Sequence, residues 1–338
     1  MGDGFDNGAN LDFLLLDHQF VQSDAGYFGV RIGRVRNSFG LYNASRDIPN
    51  ARPGLNVPES IYFDSFRNAF ISVDGLNVYG THNSKLGLLE YSASFGKQKM
   101  NSEALEYYMV RKELDSDLQP ENILMTNIQF HPQAVPSLKF GFSGLFTELK
   151  LQDGVSNEEA IGKLAPLYGT LTPEQVQLYI LNNMDQFISE ASLDIAFYNA
   201  TIQYAFEDWI FSAEAMRIDV DATVEVLAER RGGKTHVDGF FLQAEWFPRH
   251  DIETLLRYEE LDLGYQIALA GRDTNIGKAK GVTLGIKWHI NAEWTLGTQV
   301  SRYEGYAWAP VYEDMVEPQN YEPWNVYRAA LTLSLIHI

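Results

Sequence analysis

Residues 281–290 read GVTLGIKWHI. In an extended chain Val282, Leu284, Ile286, Trp288 and Ile290 fall on one side and Thr283, Lys287 and His289 on the other, because successive strand side chains point to opposite faces. The same period of two recurs. Leu89, Tyr91, Ala93 and Phe95 oppose Glu90, Ser92 and Ser94; Leu138, Phe140, Phe142 and Phe146 oppose Lys139, Ser143 and Thr147; Tyr327, Ala329, Leu331 and Leu333 oppose Arg328, Thr332 and Ser334. This alternation predicts strands.

About thirteen are expected, near 9–20, 26–36, 68–80, 85–97, 121–132, 136–149, 190–204, 208–220, 236–247, 251–262, 279–290, 293–306 and 323–335. Many reach ten residues, where a soluble strand averages about five or six and a tilted membrane strand needs about 9 to 11. Connections alternate in length. VQSDAG, THNSK, HPQAVP, AFEDW, FPRHD and HINAEW are short, whereas 37–67, 98–120, 150–189, 221–235, 263–278 and 307–322 are long. Outer-membrane barrels have this asymmetry between their two ends. The expected fold is therefore all-β, a single antiparallel transmembrane β-barrel domain over 1–338. Both the first and the last strand run toward the short-turn end, and an even-stranded barrel then needs one or three further strands before them, for 14 or 16 in all.

Tryptophans fit a membrane frame, since indole rings prefer the headgroup level. Trp209, Trp246, Trp288 and Trp294 lie near short turns, and Trp308 and Trp324 flank the last long loop. The segment 150–189 carries helix signals: Ser156 with Glu159 and Thr172 with Gln175 fit capping boxes, with Pro173 at a first helical position. Val176, Tyr179, Ile180, Met184 and Phe187 share one helical face. A small helical insertion follows, either packed over the barrel mouth or standing as a surface excursion.

Composition excludes several function classes. With 26 Lys plus Arg against 45 Asp plus Glu, the formal charge is −19, which leaves no basic face for nucleic acid. Cysteine is absent, so no thiolate metal site, thiol nucleophile or disulfide can form. The seven histidines lack metal-ligand spacing, and Asp3 and Asp6 in GDGFDNG lack the rest of a calcium loop. No GxSxG elbow, HExxH pair or phosphate-binding glycine loop occurs. The chain reads as a non-enzyme without metal or cofactor.

Against that acidic background, residues 31–54 gather Arg31, Arg34, Arg36, Arg46 and Arg52. Arg31 opposes Phe28, Val30 and Ile32 and should face the lumen. Arg34 and Arg36 share the lipid parity, where an arginine at mid-membrane costs about 2 to 4 kcal/mol. They either sit near the rim or are turned inward by a bulge at Gly33, and the parity break at Asp74–Gly75 favours the bulge.

The stretch GRVRNSFGLYNASRDIPNARPGLNVPESIYFDSFRN (33–68) with SVDGLNVYG (72–80) resembles a motif of porin-like outer-membrane proteins of Gram-negative bacteria, in the neighbourhood of phosphate-selective porins. The resemblance spans about residues 29–80, and LSLIHI at the carboxyl end departs from the terminal aromatic of such proteins. It implies a diffusion pore whose loop 37–67 folds inward as a constriction, and it transfers no substrate.

Expected pore-lining and constriction residues are Arg31, Arg34, Arg46, Asp47, Arg52, Glu59, Tyr62, Arg67, Glu90, Glu245 and Arg257. Glu214, Glu253 and Glu259 also occupy polar-face positions. Arginines on one wall and carboxylates on another would set a transverse field across a narrow lumen. The function expected is passive passage of small hydrophilic solutes or ions across the bacterial outer membrane, with the bilayer and lipopolysaccharide as surroundings and a homotrimer as one open assembly state. The alternatives are a plugged structural or adhesive barrel and a secreted soluble ligand-binding β protein.

Overall fold

A strand that turns one face to hydrocarbon must satisfy its backbone N–H and C=O groups on neighbouring strands. The computed structural model describes residues 13–46, 48–62, 72–98, 118–151, 154–168, 170–264, 277–305 and 323–334, and there the requirement is met. The strands are β1 (Leu14–Ser23), β2 (Gly26–Arg36), β3 (Ser72–Ser84), β4 (Gly87–Lys97), β5 (Leu118–Pro132), β6 (Leu138–Leu151), β7 (Ile188–Phe206), β8 (Trp209–Val226), β9 (Glu229–Arg249), β10 (Ile252–Asp262), β11 (Lys278–His289), β12 (Trp294–Gly305) and β13 (Trp324–Leu333). They form one antiparallel sheet in chain order.

The two faces have opposite chemistry. Phe140, Leu242, Leu256, Leu284, Ile286 and Leu331 are exposed on the outer face, while Ser143, Glu214, Gln243, Thr283 and Ser301 are buried on the inner one. On β11 the outward apolar run from Val282 to Trp288 continues to Ile290. At about 3.4 Å per residue it is about 27 Å long, and tilted by about 40° it spans about 21 Å, near the ~25 Å apolar band of such barrels. Lys280 and Lys278 follow and mark its upper limit.

The short turns all occur as expected, and Trp209, Trp246 and Trp288 stand outward beside them. Trp209 stacks on Trp246 at 5.5 Å between centroids. Trp324 departs from the girdle: its ring packs on buried Tyr303 at 4.8 Å and its Nε1 donates to the Gly305 carbonyl at 3.2 Å. Trp308 lies outside the described residues.

One expected long loop is absent. Residues 221–235 continue β8 and β9 and close in a tight turn at Leu227 and Ala228, whose φ angles are 53° and 63°. Polar residues such as Asp221, Thr223 and Lys234 read as loop because this part of the ladder has no lipid face; cross-strand pairing still holds it, with Lys234 Nζ 2.7 Å from Asp221 Oδ2.

The helical insertion docks on this hairpin. Helices α1 (Asn157–Leu164) and α2 (Pro173–Asn182) start at Ser156 and Thr172. Thr172 and Gln175 complete the capping box, and Ser156 accepts from the Glu159 N–H. Ala160, Leu164, Val176 and Phe187 form a small core that packs on Val226 and Leu227. The insertion is thus a surface excursion seated on the β8–β9 tip.

Replacing Leu284 or Leu331 by Arg should destabilise the protein in lipid vesicles by about 2 to 4 kcal/mol, whereas Thr332→Arg, on the inner face, should cost far less. Urea titration of vesicle-folded protein measures this, and equal losses would contradict the assigned faces.

Candidate functional site

Residues 37–62 leave β2 and run inside the curved sheet. A segment there has peptide groups that neither water nor a strand partner satisfies, so the wall must supply partners. Carboxylates and amide oxygens take the N–H groups. The Leu41 N–H donates to Glu214 on β8 at 3.1 Å, Gly54 to Glu253 on β10 at 3.2 Å, Ser60 to Glu259 on β10 at 3.1 Å, and Leu55 to Gln299 on β12 at 3.0 Å. The Gly40 N–H donates to Ser143 Oγ on β6 at 3.0 Å.

Cations take the carbonyls. Arg257 on β10 donates to Asn56 O at 3.0 Å and Pro53 O at 3.5 Å, and Lys287 on β11 donates to the carbonyls of Pro49 and Arg52. Arg328 on β13 reaches Glu59 at 3.2 Å. Gln129 on β5 also donates to the Gly40 carbonyl at 3.5 Å, so one loop touches the wall from β5 round to β13.

Glu214 is the densest junction. It accepts from Leu41 N–H, from Asn199 Nδ2 at 3.2 Å and from the Tyr62 hydroxyl at 2.9 and 2.8 Å to its two oxygens, while Tyr62 itself accepts from the Tyr42 N–H at 2.9 Å. Burial, with the Glu214 charge beside it, pushes the Tyr62 phenol well up, so it stays a donor. Gly40 has φ 58°, and a side chain there would overlap Glu214 and the Tyr62 hydroxyl. Around this junction Phe39 stacks on Tyr62 and meets Phe197 edge-on, each at 5.4 Å, and Tyr42 stacks on Phe241 at 6.0 Å. Val57 and Ile61 join them against Met125, Leu145 and Met216.

The expected constriction residues part company here. Arg46 is only 3% exposed and donates to Tyr62 O, and Arg52 donates to Arg46 O at 2.8 Å. Both brace the loop from within. Glu214, Glu245 and Arg257 are 2%, 7% and 1% exposed beneath it. Glu214 is drawn to a loop N–H, Glu245 accepts from Gln243 Nε2 at 2.9 Å, and Arg257 donates to loop carbonyls, so these three pair with the loop and with the wall beneath it.

Arg34 is a further correction. The register of β2 runs unbroken through Gly33 on both sides, so no bulge forms there; the irregularity lies on β1 between Gln19 and Val21. Arg34 therefore stays on the outer face with Ile32 and Leu76, bound through Nε to Asp74 at 3.0 Å near the rim. Pairing with Asp74 neutralises the charge that would be costly on that face.

Arg31 does face inward. Its Nε donates to Asp17 Oδ2 at 3.0 Å, its guanidinium lies 3.8 Å from the Tyr79 ring centroid, and its side chain is 34% exposed. Glu90, 44% exposed, stands 4.0 Å from His131. Glu59 is partly exposed beside Arg328. Asp47 and Arg67 lie outside the described residues. A sequence signal for the loop's seat existed: Leu145–Phe146 and Phe240–Phe241 put apolar residues on both faces, and the inward member of each pair packs on the loop.

Removing Glu214 leaves three donors unpaired, at about 1 to 3 kcal/mol each. Glu214→Ala and Arg257→Ala should each expose the bond after Arg46 to trypsin, which the native protein should resist. Peptide mass spectrometry after limited digestion reads the cut; equal resistance in all three proteins would show that these contacts do not hold the loop.

No protein-family model matches the chain, and no curated protein matches it. Solved structures do. An anion-selective porin from Comamonas acidovorans superposes with a TM-score of 0.50 at 14% identity, covering 90% of this chain and 70% of that one. The outer-membrane expressed OmpT of Vibrio cholerae gives 0.48 at 11% identity, over 87% and 70%. A Pseudomonas aeruginosa FadL homologue gives 0.35 at 12% identity, over 85% and 68%. At 14% identity the likeness to the Comamonas porin concerns fold alone, and together with the apolar outer band it gives the chain the architecture of an outer-membrane β-barrel, porin-like in form.

Proposed function

We propose that this barrel lets small hydrophilic solutes or ions pass by diffusion, along the inner wall of β1–β4 rather than through the loop. The observation that supports the reading is the loop's uneven anchorage: its hydrogen bonds to the wall reach β5, β6 and the strands from β8 to β13, while Asp17 on β1, Arg31 on β2 and Glu90 on β4 keep water-accessible side chains. A solute crossing there meets one cation already braced by Tyr79 and two carboxylates. Such a wall discriminates by charge without binding tightly, as conduction requires.

The buried loop network also supports a second reading, a plugged barrel with a structural or adhesive role, because loop side chains fill the lumen against Val73, Ile123, Met125, Leu145, Phe197 and Phe241. Conductance separates the two. In planar bilayers the protein should give single-channel steps. Under a salt gradient, Arg31→Gln should shift the reversal potential toward cation preference and Glu90→Gln toward anion preference, while Arg34→Gln, on the outer face, should leave it in place. Absence of steps from heat-modifiable, folded protein would favour the plug, and an unmoved reversal potential in the first two variants would place the path elsewhere.

A further inference from the structure

Tyr79 on β3 shares the inward parity of Arg31, yet it is only 6% exposed. Space for its ring comes from Gly29, which faces it across the β2–β3 ladder. A Cβ at Gly29 would stand 2.7 Å from the ring's Cζ and hydroxyl oxygen, so the missing side chain lets the ring lie against β2. Laid down in this way, the phenol reaches across β2, and its hydroxyl donates to Asp17 Oδ1 on β1 at 2.5 Å. Arg31 takes the other oxygen: its Nε lies 3.0 Å from Asp17 Oδ2, and its guanidinium packs 3.8 Å from the Tyr79 ring centroid. One tyrosine thus touches both members of the ion pair.

We propose that Tyr79 is a positioning residue that makes this part of the wall present hydrogen-bond donors to a passing solute, and so gives anions the easier passage. The inference rests on the solute path proposed above. Asp17 and Arg31 cancel in formal charge, so as charges alone the pair favours neither sign. Their hydrogen bonds do not cancel. Each Asp17 oxygen already accepts from a fixed donor, Tyr79 on one and Arg31 on the other. Arg31 is held through Nε and through the face of its guanidinium, and among the described residues no acceptor takes its Nη groups. Those two nitrogens form a planar fork that matches an oxyanion. Hydrogen bonds to ionised groups are the stronger ones, so a carboxylate with both oxygens engaged offers a cation less than a guanidinium with two free nitrogens offers an anion.

The substitution that isolates this role changes no charge. Tyr79→Phe keeps the ring against Arg31 and removes only the donor to Asp17, so in planar bilayers under a salt gradient the reversal potential should move toward cations. Gly29→Ala, which displaces the ring from β2, should move it the same way; if that variant fails to fold, Tyr79→Phe carries the test. Asp17→Asn should move the potential toward anions. Adding Tyr79→Phe to Asp17→Asn should move it no further, because no carboxylate is left to uncover, whereas a general loosening of the wall would act in both backgrounds. Tyr91→Phe, the same change on the outer face of β4, should leave the potential in place. An unmoved potential in Tyr79→Phe, with Arg31→Gln still shifting it, would overturn the inference and leave the solute path standing; an unmoved potential in both would overturn the two together. A shift of equal size with and without the Asp17 carboxylate would also overturn it, since Tyr79 would then act through another group.

Discussion

A loop carried into a barrel's lumen takes its peptide groups away from water, and everything else in this inner wall follows from pairing them. Unpaired buried backbone groups cost about as much as a lost hydrogen bond each. The wall answers N–H groups with Glu214, Glu253, Glu259 and Gln299, and carbonyls with Arg257 and Lys287. Charged side chains suit this work because hydrogen bonds to ionised groups are the stronger ones. The inner wall is thus a template for one loop conformation.

That template reverses the first meaning of the arginine-rich stretch. Clustered arginines in an acidic protein suggest a charged gate, yet Arg46 and Arg52 spend their donors on loop carbonyls, as a compact irregular segment requires. Arg34 answers a different demand, charge balance with Asp74 at the outer rim. Only Arg31 combines an inward position with water access. Four arginines close in sequence therefore serve three physical ends, and spacing alone does not separate them.

The fold was legible because lipid imposes a strict rule. Every second residue from Val282 to Ile290 must be apolar, and a register error would put Lys287 or Thr283 into hydrocarbon, so alternation survives in the sequence with little noise. Where the rule lapses, legibility lapses. Beyond Arg217 and Asp238 the outward side of β8 and β9 carries Asp219, Asp221, Lys234 and His236 while Val220 packs inward with Leu149 and Leu193, so with no lipid face to keep the outer side apolar the hairpin up to Leu227 could not be told from a loop by pattern. The candidate site was less legible still, since which wall carboxylate meets which loop N–H depends on how the sheet curves. Parity placed Glu214, Glu253 and Glu259 inward correctly, but an inward carboxylate that lines water and one that caps a loop look alike in sequence.

Position along the strand also decides what a charge can do. On the outer face at hydrocarbon depth the described strands place no charge among Leu256, Leu284 and Leu331, whereas one step above Val282 and Tyr258 the ladder changes to Lys280, Glu260 and Glu304. On the inner face the same depth holds Arg257, Glu253 and Lys287, all buried against the loop. A single thickness of sheet thus separates an environment that excludes charge from one that requires it. The inner ions are tolerated because each has a fixed partner, the condition under which buried charge is affordable at all. Loss of the loop would leave them facing one another across an empty wall, so loop and wall are best regarded as one folding unit, with Glu214 and Arg257 as the contacts through which each specifies the other.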